Sequence, residues 1–465
     1  MTAPPRPTDA QPPTAPIVPG TVHRVSIGPR DDRGRGVTTI GRRALRVANV
    51  LPGEVVDVRL THVGRTTAEA RVERVVEPSP DRIDDRCPHG TVCPGCGLRT
   101  TAEPARRALL RDRVSQALAR EGLGDVDVRP TVPAPAADGW RHKAFLTARR
   151  TRRGIFLGLY EEHSHRLLGI EGCPAHAPAV ERALGAARRA LAAVDPPIYD
   201  ERSREGWLRY VAVRAAGAEP AALVTLVATR REFAWEQALV DAIRRLAPQV
   251  VGIVLNVQDA PGNAPFGARF STLAGTPHLT ERSGPFTLRV SAGSFFQVNP
   301  AMGETLHDTV AAAARSAPAG RALDLYGGVG CTTLRLARDG RAVTLVESSP
   351  SAVEDARANA TTAGLSDAIR ILGDRVESIP IPTGAERPSV VIVNPPRSGL
   401  SVEVLSGLER AAPPLLLYVA CDPRPLARDL ARLRGAGATI ESVVPFEMMP
   451  QTAHVEALAA VRLPS

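Results

Sequence analysis

The chain has 465 residues, 43% hydrophobic and 23% charged, with 58 lysines and arginines against 49 acidic residues and a formal charge of +9. That length accommodates roughly two to four domains with cores of their own, and no apolar run reaches the roughly 18 residues that cross a bilayer, which excludes a helical membrane protein. Arginine carries nearly all of the basic excess and its planar fork suits phosphate, so nucleic acid is a fitting partner; a genome that prefers arginine to lysine is the plain alternative.

The first residues, MTAPPRPTDAQPPTAPIVPG, have no apolar signal core, and their prolines predict a disordered tail over residues 1–17. The expected compartment is therefore the cytoplasm, where the six cysteines are thiols or ligands rather than disulfides. Over residues 18–78, short runs such as GTVHRVSIG, RALRVANVL, EVVDVRLTHVG and TAEARVERVVEP alternate apolar and polar positions between glycine turns. That period predicts a small antiparallel β-barrel, with an unrelated small β domain as the other possibility.

A central α/β domain is expected over residues 79–289, with helices at TAEPARRALLRDRVSQALAREG and AWEQALVDAIRRLAP and strands at FLTARRTRRGIFLGLYEE and AALVTLVATR. Its one chemical signal is CPHGTVCPGC, which places Cys87, Cys93 and Cys96 with five and two residues between them; Cys173 in GIEGCPAH is the natural fourth ligand. Four thiolates suit tetrahedral zinc or an iron–sulfur cluster, and spacing alone does not separate the two. His89 and His176 stand nearby, but four cysteines already complete such a site.

From residue 290 to 465, strands and helices alternate regularly, which predicts a doubly wound parallel sheet. In RALDLYGGVGCTTLRLARDG a strand over Ala322 to Leu325 runs into Gly327, Gly328 and Gly330 and then a helix, as a loop that admits a nucleotide-like cofactor does. The next strand, RAVTLVESS, ends at Glu347, twenty positions after Gly327, where a carboxylate accepts from ribose hydroxyls. Loop and acid alone do not separate S-adenosylmethionine from a dinucleotide. SVVIVNPPRSGL tips the balance, because Asn394-Pro395-Pro396 makes a rigid turn at the carboxyl edge of the sheet, as at a methyltransferase active site.

Two further residues complete a chemistry. Cys421 follows the apolar run LLLYVA, and Glu456 is a charge among apolar neighbours in HVEALAAVRL. Carbon 5 of uracil is a poor nucleophile; a thiolate adding to carbon 6 makes it an enolate that can attack a sulfonium methyl, and a carboxylate can then take the carbon 5 proton so that the thiolate leaves.

SFFQVNP, LDLYGGVG, VNPPRSG, YVACDP and PQTAHVE, in this order, resemble the successive motifs of the S-adenosylmethionine-dependent RNA uridine-5-methyltransferases, and most closely the 23S ribosomal-RNA branch. The likeness runs from Val18 to the C-terminus. It implies a Rossmann-like class I methyltransferase domain, preceded by the central domain and by an OB-like TRAM barrel that binds RNA. It implies Gln297, Tyr326, Glu347 and Asn394 around cofactor and base, Cys421 as nucleophile, Glu456 as base, and Phe295 or Phe296 stacked on the extruded uracil. It also favours a four-iron, four-sulfur cluster over zinc on Cys87, Cys93, Cys96 and Cys173, with a structural or RNA-positioning role.

Barrel and cysteines together favour ribosomal over transfer RNA. A catalytically idle RNA-binding or ribosome-assembly factor and an amino-group methyltransferase are the competing readings. Asn394 stands where many members have Asp, Asp422 where Asn is usual, and Gln451 where His is frequent; Cys331 reads as a packing residue. Aromatic residues are only 4% of the chain, so phosphate contacts from runs such as RTRRG and GRRALR are expected to carry much of the affinity, with stacking adding roughly 1–3 kcal/mol per base.

Overall fold

The computed structural model describes residues 16–90, 92–93, 95–152, 154–161, 166–260, 262 and 264–464. The tail expected over residues 1–17 thus lies, for residues 1–15, outside the described residues, as does Arg153 of the basic run. Two compact units result: residues 1–106 with Gln451–Ala453, and residues 107–450 with 454–465. The division falls inside helix α1 (Glu103–Arg120).

In the first unit, β1 (Val22–Ser26), β2 (Gly36–Ile40), β3 (Arg43–Val47), β4 (Val55–Val63) and β5 (Thr67–Glu77) form a sheet in the order β1-β4-β5-β3-β2. The sheet curls until its edges meet: Gly28 N donates to Val37 O at 3.0 Å and Val37 N donates to Pro29 O at 2.9 Å. Alternation puts Leu45, Val47, Val56, Val58 and Leu60 inside. Gly36 is required there, since a Cβ would stand 2.4 Å from Ile27 Cγ2. The fully buried Glu54 takes both forks of Arg82, at 2.5 and 2.7 Å, which fastens the chain after the barrel to it.

The second unit holds two seven-stranded sheets. The central one comprises β6 (Lys143–Thr151), β7 (Gly154–Tyr160), β8 (Leu167–Gly169), β9 (Leu208–Ala215), β10 (Ala222–Ala228), β11 (Val250–Val257) and β12 (Arg269–Gly275), in the order β12-β11-β10-β9-β6-β7-β8. Helices α2 (Pro178–Val194) and α3 (Glu236–Leu246) pack on it, and α3 is the crossover of the parallel pair β10–β11. A hairpin, β13 (His278–Ser283) and β14 (Phe286–Ser291), leads out of this region.

The C-terminal sheet comprises β15 (Ala322–Leu325), β16 (Val343–Val346), β17 (Ile369–Leu372), β18 (Val390–Val393), β19 (Leu415–Ala420), β20 (Thr439–Phe446) and β21 (Glu456–Arg462). Its order is β17-β16-β15-β18-β19-β21-β20, parallel through β19 and antiparallel at β21 and β20. Its helices are α4 (Pro300–Ala314), α5 (Cys331–Arg338), α6 (Pro350–Thr362), α7 (Val402–Ala411) and α8 (Pro423–Gly435). One core joins the sheet to α1, α7 and α8, and another joins it to α4, α5 and α6. Strands such as Val390–Val393 are therefore buried along their whole length. This is the doubly wound α/β architecture of a class I methyltransferase. The strand order reverses between β15 and β18, which opens a crevice at the carboxyl ends.

Candidate active site

The candidate residues lie along that edge in spatial order: Glu347 after β16, Tyr326 after β15, Asn394 after β18, Cys421 after β19 and Glu456 opening β21. The last two are brought together by register. Ala420 pairs with Ala457 across antiparallel β19 and β21, so the next positions, Cys421 and Glu456, face each other at the mouth. Cys421 is half-buried, and burial first and the Glu456 carboxylate second push its thiol above the ordinary value. Glu456 is 5% exposed, and burial pushes its carboxyl up to about 7. Arg397, three residues beyond Asn394, pulls both groups down.

Asp422 sits at the N-cap of α8, accepting from Arg424 N at 3.0 Å and pairing with Arg424 Nη2 at 2.8 Å. The push on the thiol expected from its charge is present but is the weakest of those acting.

The glycine turn is shaped for close approach. Tyr326 holds φ at +61°, a conformation that costs an aromatic residue on the order of 1–3 kcal/mol, and its hydroxyl donates to Glu377 Oε1 at 3.0 Å. A Cβ on Gly327 would stand 2.6 Å from Leu345 Cγ, whereas Gly328, at φ +57°, faces open space. Gly328 N and Ser349 N donate to the two oxygens of Glu347 at 3.1 and 2.7 Å, which aims that carboxylate. Beneath the turn, Asp324 accepts from Thr333 Oγ1 at 2.5 Å, and burial pushes its carboxyl up to about 6. An open, glycine-lined backbone beside an oriented carboxylate fits the ribose and chain of an adenosyl sulfonium. Cys331, opening α5, is buried in the core, with burial pushing its thiol up to about 12.

Gln297 comes from the loop between β14 and α4. Asp355, fully buried, clamps that loop by accepting from Ser291 N and Ser291 Oγ at 2.7 Å and from Ser294 Oγ at 2.6 Å. Gln297 is 9% exposed beneath α4, where Gly303 makes room: a Cβ there would come 3.0 Å from Gln297 Cβ. Phe296 packs on the core, while Phe295 is 64% exposed, so of the two rings Phe295 is the one free to stack. Sequence reading passed over Arg397, Asp324, Glu377 and Asp355. Arg397 alone carried a signal, since it follows the rigid Pro395-Pro396 turn.

The cysteines behave differently. Cys87, Cys93 and Cys96 belong to the first unit and Cys173 to the second. All four are half-buried and outside any disulfide, and among the described residues no three His, Cys, Asp or Glu side chains form a group that could hold a metal. The expected cluster is therefore not shown among the described residues. His176 is held by Glu181, Nδ1 to Oε1 2.6 Å.

Fold and site together define a methyltransferase with a thiol and a carboxylate at the carboxyl edge of its sheet. A family profile described as tRNA (uracil-5-)-methyltransferase matches residues 375–462, which include Asn394, Cys421 and Glu456. An uncharacterized RNA methyltransferase of Geobacter sulfurreducens is 32% identical over 443 residues, 95% of this chain and 90% of that one. Another, of Thermosynechococcus vestitus, is 34% identical over 433 residues, 92% and 94% of the two chains. Among solved structures, the tRNA (uracil-54, C5)-methyltransferase of Pyrococcus abyssi, in complex with S-adenosyl-L-homocysteine, superposes with a TM-score of 0.74 over 94% of this chain and 100% of that one; at 24% identity the likeness is one of fold. The chain belongs to the family of S-adenosylmethionine-dependent RNA uridine-5-methyltransferases.

Proposed function

We propose that this enzyme methylates carbon 5 of a uridine in RNA through a transient bond from Cys421 Sγ to carbon 6. The observation that carries the reading is the register of β19 and β21, which faces Cys421 with Glu456 at the strand edge. Bound S-adenosylmethionine supplies an electrophilic methyl group there, with Gln297, Tyr326, Glu347 and Asn394 as its pocket. The base is extruded, since carbon 6 is out of reach within a stack. Phe295 stacks on it. The thiolate adds to carbon 6, and carbon 5, now enolate in character, would take the methyl as the methyl–sulfur bond breaks, its electron pair staying on sulfur and S-adenosylhomocysteine leaving. Glu456, ionised, removes the carbon 5 proton, and the carbon–sulfur bond breaks to return the thiolate and restore the ring. A carboxyl lifted to about 7 suits proton transfer at neutral pH. A Glu456→Gln variant incubated with RNA and cofactor accumulates an adduct stable on denaturing gels; an adduct that persists when Cys421 is alanine overturns the scheme.

Ribosomal RNA is the favoured substrate, resting on the barrel and on the family resemblance. Transfer RNA is the second reading, favoured by the description of the matching family profile. Mapping 5-methyluridine in total RNA from a strain without this protein decides between them. A four-iron, four-sulfur cluster on the four cysteines rests on spacing and resemblance. Iron and acid-labile sulfide measured against zinc in the purified protein test it, and no step above runs through it.

A further inference from the structure

Among the 58 basic residues of this chain there is a single lysine, Lys143. A protein that uses arginine everywhere else keeps, at this position, the compact ammonium that can be held in a tight and dry site. Lys143 opens β6, whose alternate residues Ala144, Leu146 and Ala148 are buried while Lys143, Phe145, Thr147 and Arg149 are half-buried. Register places Lys143 beside Arg214, Phe145 beside Ala212 and Thr147 beside Tyr210.

What lies over this side is ring and loop. Tyr210 and Phe145 have centroids 4.9 Å apart, and Phe145–Phe266 and Phe266–Phe270 follow at 5.5 Å each. Lys143 Nζ stands 5.3 Å from the Phe266 centroid, and the charge that acts on it is another cation, Arg214, not a carboxylate. Burial first and Arg214 second push its ammonium down to about 7. An amine pushed that far down is partly neutral near pH 7, and an anion placed beside it and Arg214 would restore the ammonium. The aromatic line then reaches the active-site loop. A Cβ on Gly293 would stand 3.0 Å from the Phe270 ring, Arg214 Nη2 donates to Ser294 O at 2.7 Å, and the exposed Phe295 follows. Phe270 itself is 37% exposed on an edge strand.

We infer that this side of the central sheet binds the single-stranded RNA next to the target uridine, with a neighbouring base stacked on Phe270 and a backbone phosphate against Lys143. The inference rests on the RNA reading above and extends it to a second surface. Exposed rings take any base, and a lone ammonium takes a phosphate, so the surface confers reach along the strand rather than sequence choice.

The test is fluorescence anisotropy with single-stranded oligouridylates of three and nine nucleotides, using the full chain. Wild type gains roughly tenfold or more in affinity from the longer strand. Phe270→Ala and Lys143→Gln lose most of that gain, Phe270→Trp keeps it, and Lys143→Gln lowers the salt slope by about 0.7. All variants keep wild-type affinity for S-adenosylhomocysteine, which reports an intact fold. Equal length gains in wild type and both loss variants, or no gain in wild type, overturn the inference. A wild type that shows the gain but methylates no uridine overturns the proposed reaction and leaves this surface standing.

Discussion

The two seven-stranded sheets of the second unit offer opposite surfaces to a ligand. The C-terminal sheet is packed on both faces, so its parallel strands are buried throughout and chemistry is confined to their carboxyl ends. The central sheet is mainly antiparallel, and one side of it carries Lys143, Phe145 and Tyr210 under loops. An edge can place a thiol opposite a carboxylate, because strand register sets the pairing; a face can hold a length of polymer. Substitutions at the edge should therefore act on turnover, and substitutions on the face should act on binding.

The largest effect expected is at the edge. Cys421→Ala should lower kcat by at least about 10⁴-fold with RNA affinity little changed, checked by methyl transfer from labelled cofactor and by anisotropy. If turnover survives, the thiol is not the nucleophile and amino-group chemistry returns. Glu456→Gln should cost roughly 10²–10⁴-fold in turnover while retaining adduct formation. Its stability should also move. Glu456 has a native pKa raised from 4.5 to about 7, so the ionised form opposes folding: the penalty begins above pH 4.5, is complete above about 7, and is relieved as pH falls. It amounts to on the order of 3 kcal/mol, and the amide, which cannot ionise, escapes it. The melting temperature of the variant should exceed that of wild type at pH 8 and converge with it near pH 4.5. An unchanged difference across that range would mean the carboxyl is not held neutral.

Legibility divided along the same line as the sheets. In a parallel sheet buried on both faces, each strand is a plain apolar run, so the residue that breaks the run stands out: glycine after Leu325, Asn394 after Val393, Cys421 after Ala420. The facing of Cys421 and Glu456 could not be read in this way, because a pairing between residues 35 positions apart belongs to the register of β19 and β21. Supporting groups were silent for a related reason. Asp324 and Asp355 act through hydrogen bonds to Thr333, Ser291 and Ser294, ordinary residues whose role exists only once helix and strand are packed. On the central sheet, Phe145 among alternating residues reads as any amphipathic strand, and period two does not tell a ligand-facing ring from a core ring. The cysteines are the converse. Their spacing was the loudest signal in the first hundred residues, and the described structure gathers no donor group from them.

A smaller effect separates cofactor binding from chemistry. Gly327→Ala forces a Cβ into the 2.6 Å gap to Leu345, an overpacking that costs about 1–3 kcal/mol and displaces the turn. The affinity for S-adenosylhomocysteine, measured by calorimetry, should fall roughly tenfold or more, while oligouridylate binding on the central sheet holds. Loss of both would show that the two sheets do not act independently.

The subtlest expectation concerns Arg397, whose charge pulls both the Cys421 thiol and the Glu456 carboxyl toward their ionised forms. Both groups react as anions, so the wild-type rate should climb as pH rises through about 7 and continue to climb toward the thiol's range. Arg397→Met removes a cation from both partners, so both apparent pKa values move up and the whole profile shifts to higher pH. A rise of about one unit in the thiol's value would cost roughly tenfold wherever the pH lies below the thiol's range, and the loss should fade only as pH passes it. A lost phosphate contact instead would raise KM for RNA by the same factor at every pH, with kcat untouched. Profiles of kcat and KM measured separately between pH 6 and 10 therefore assign this arginine either to tuning the edge or to gripping the strand.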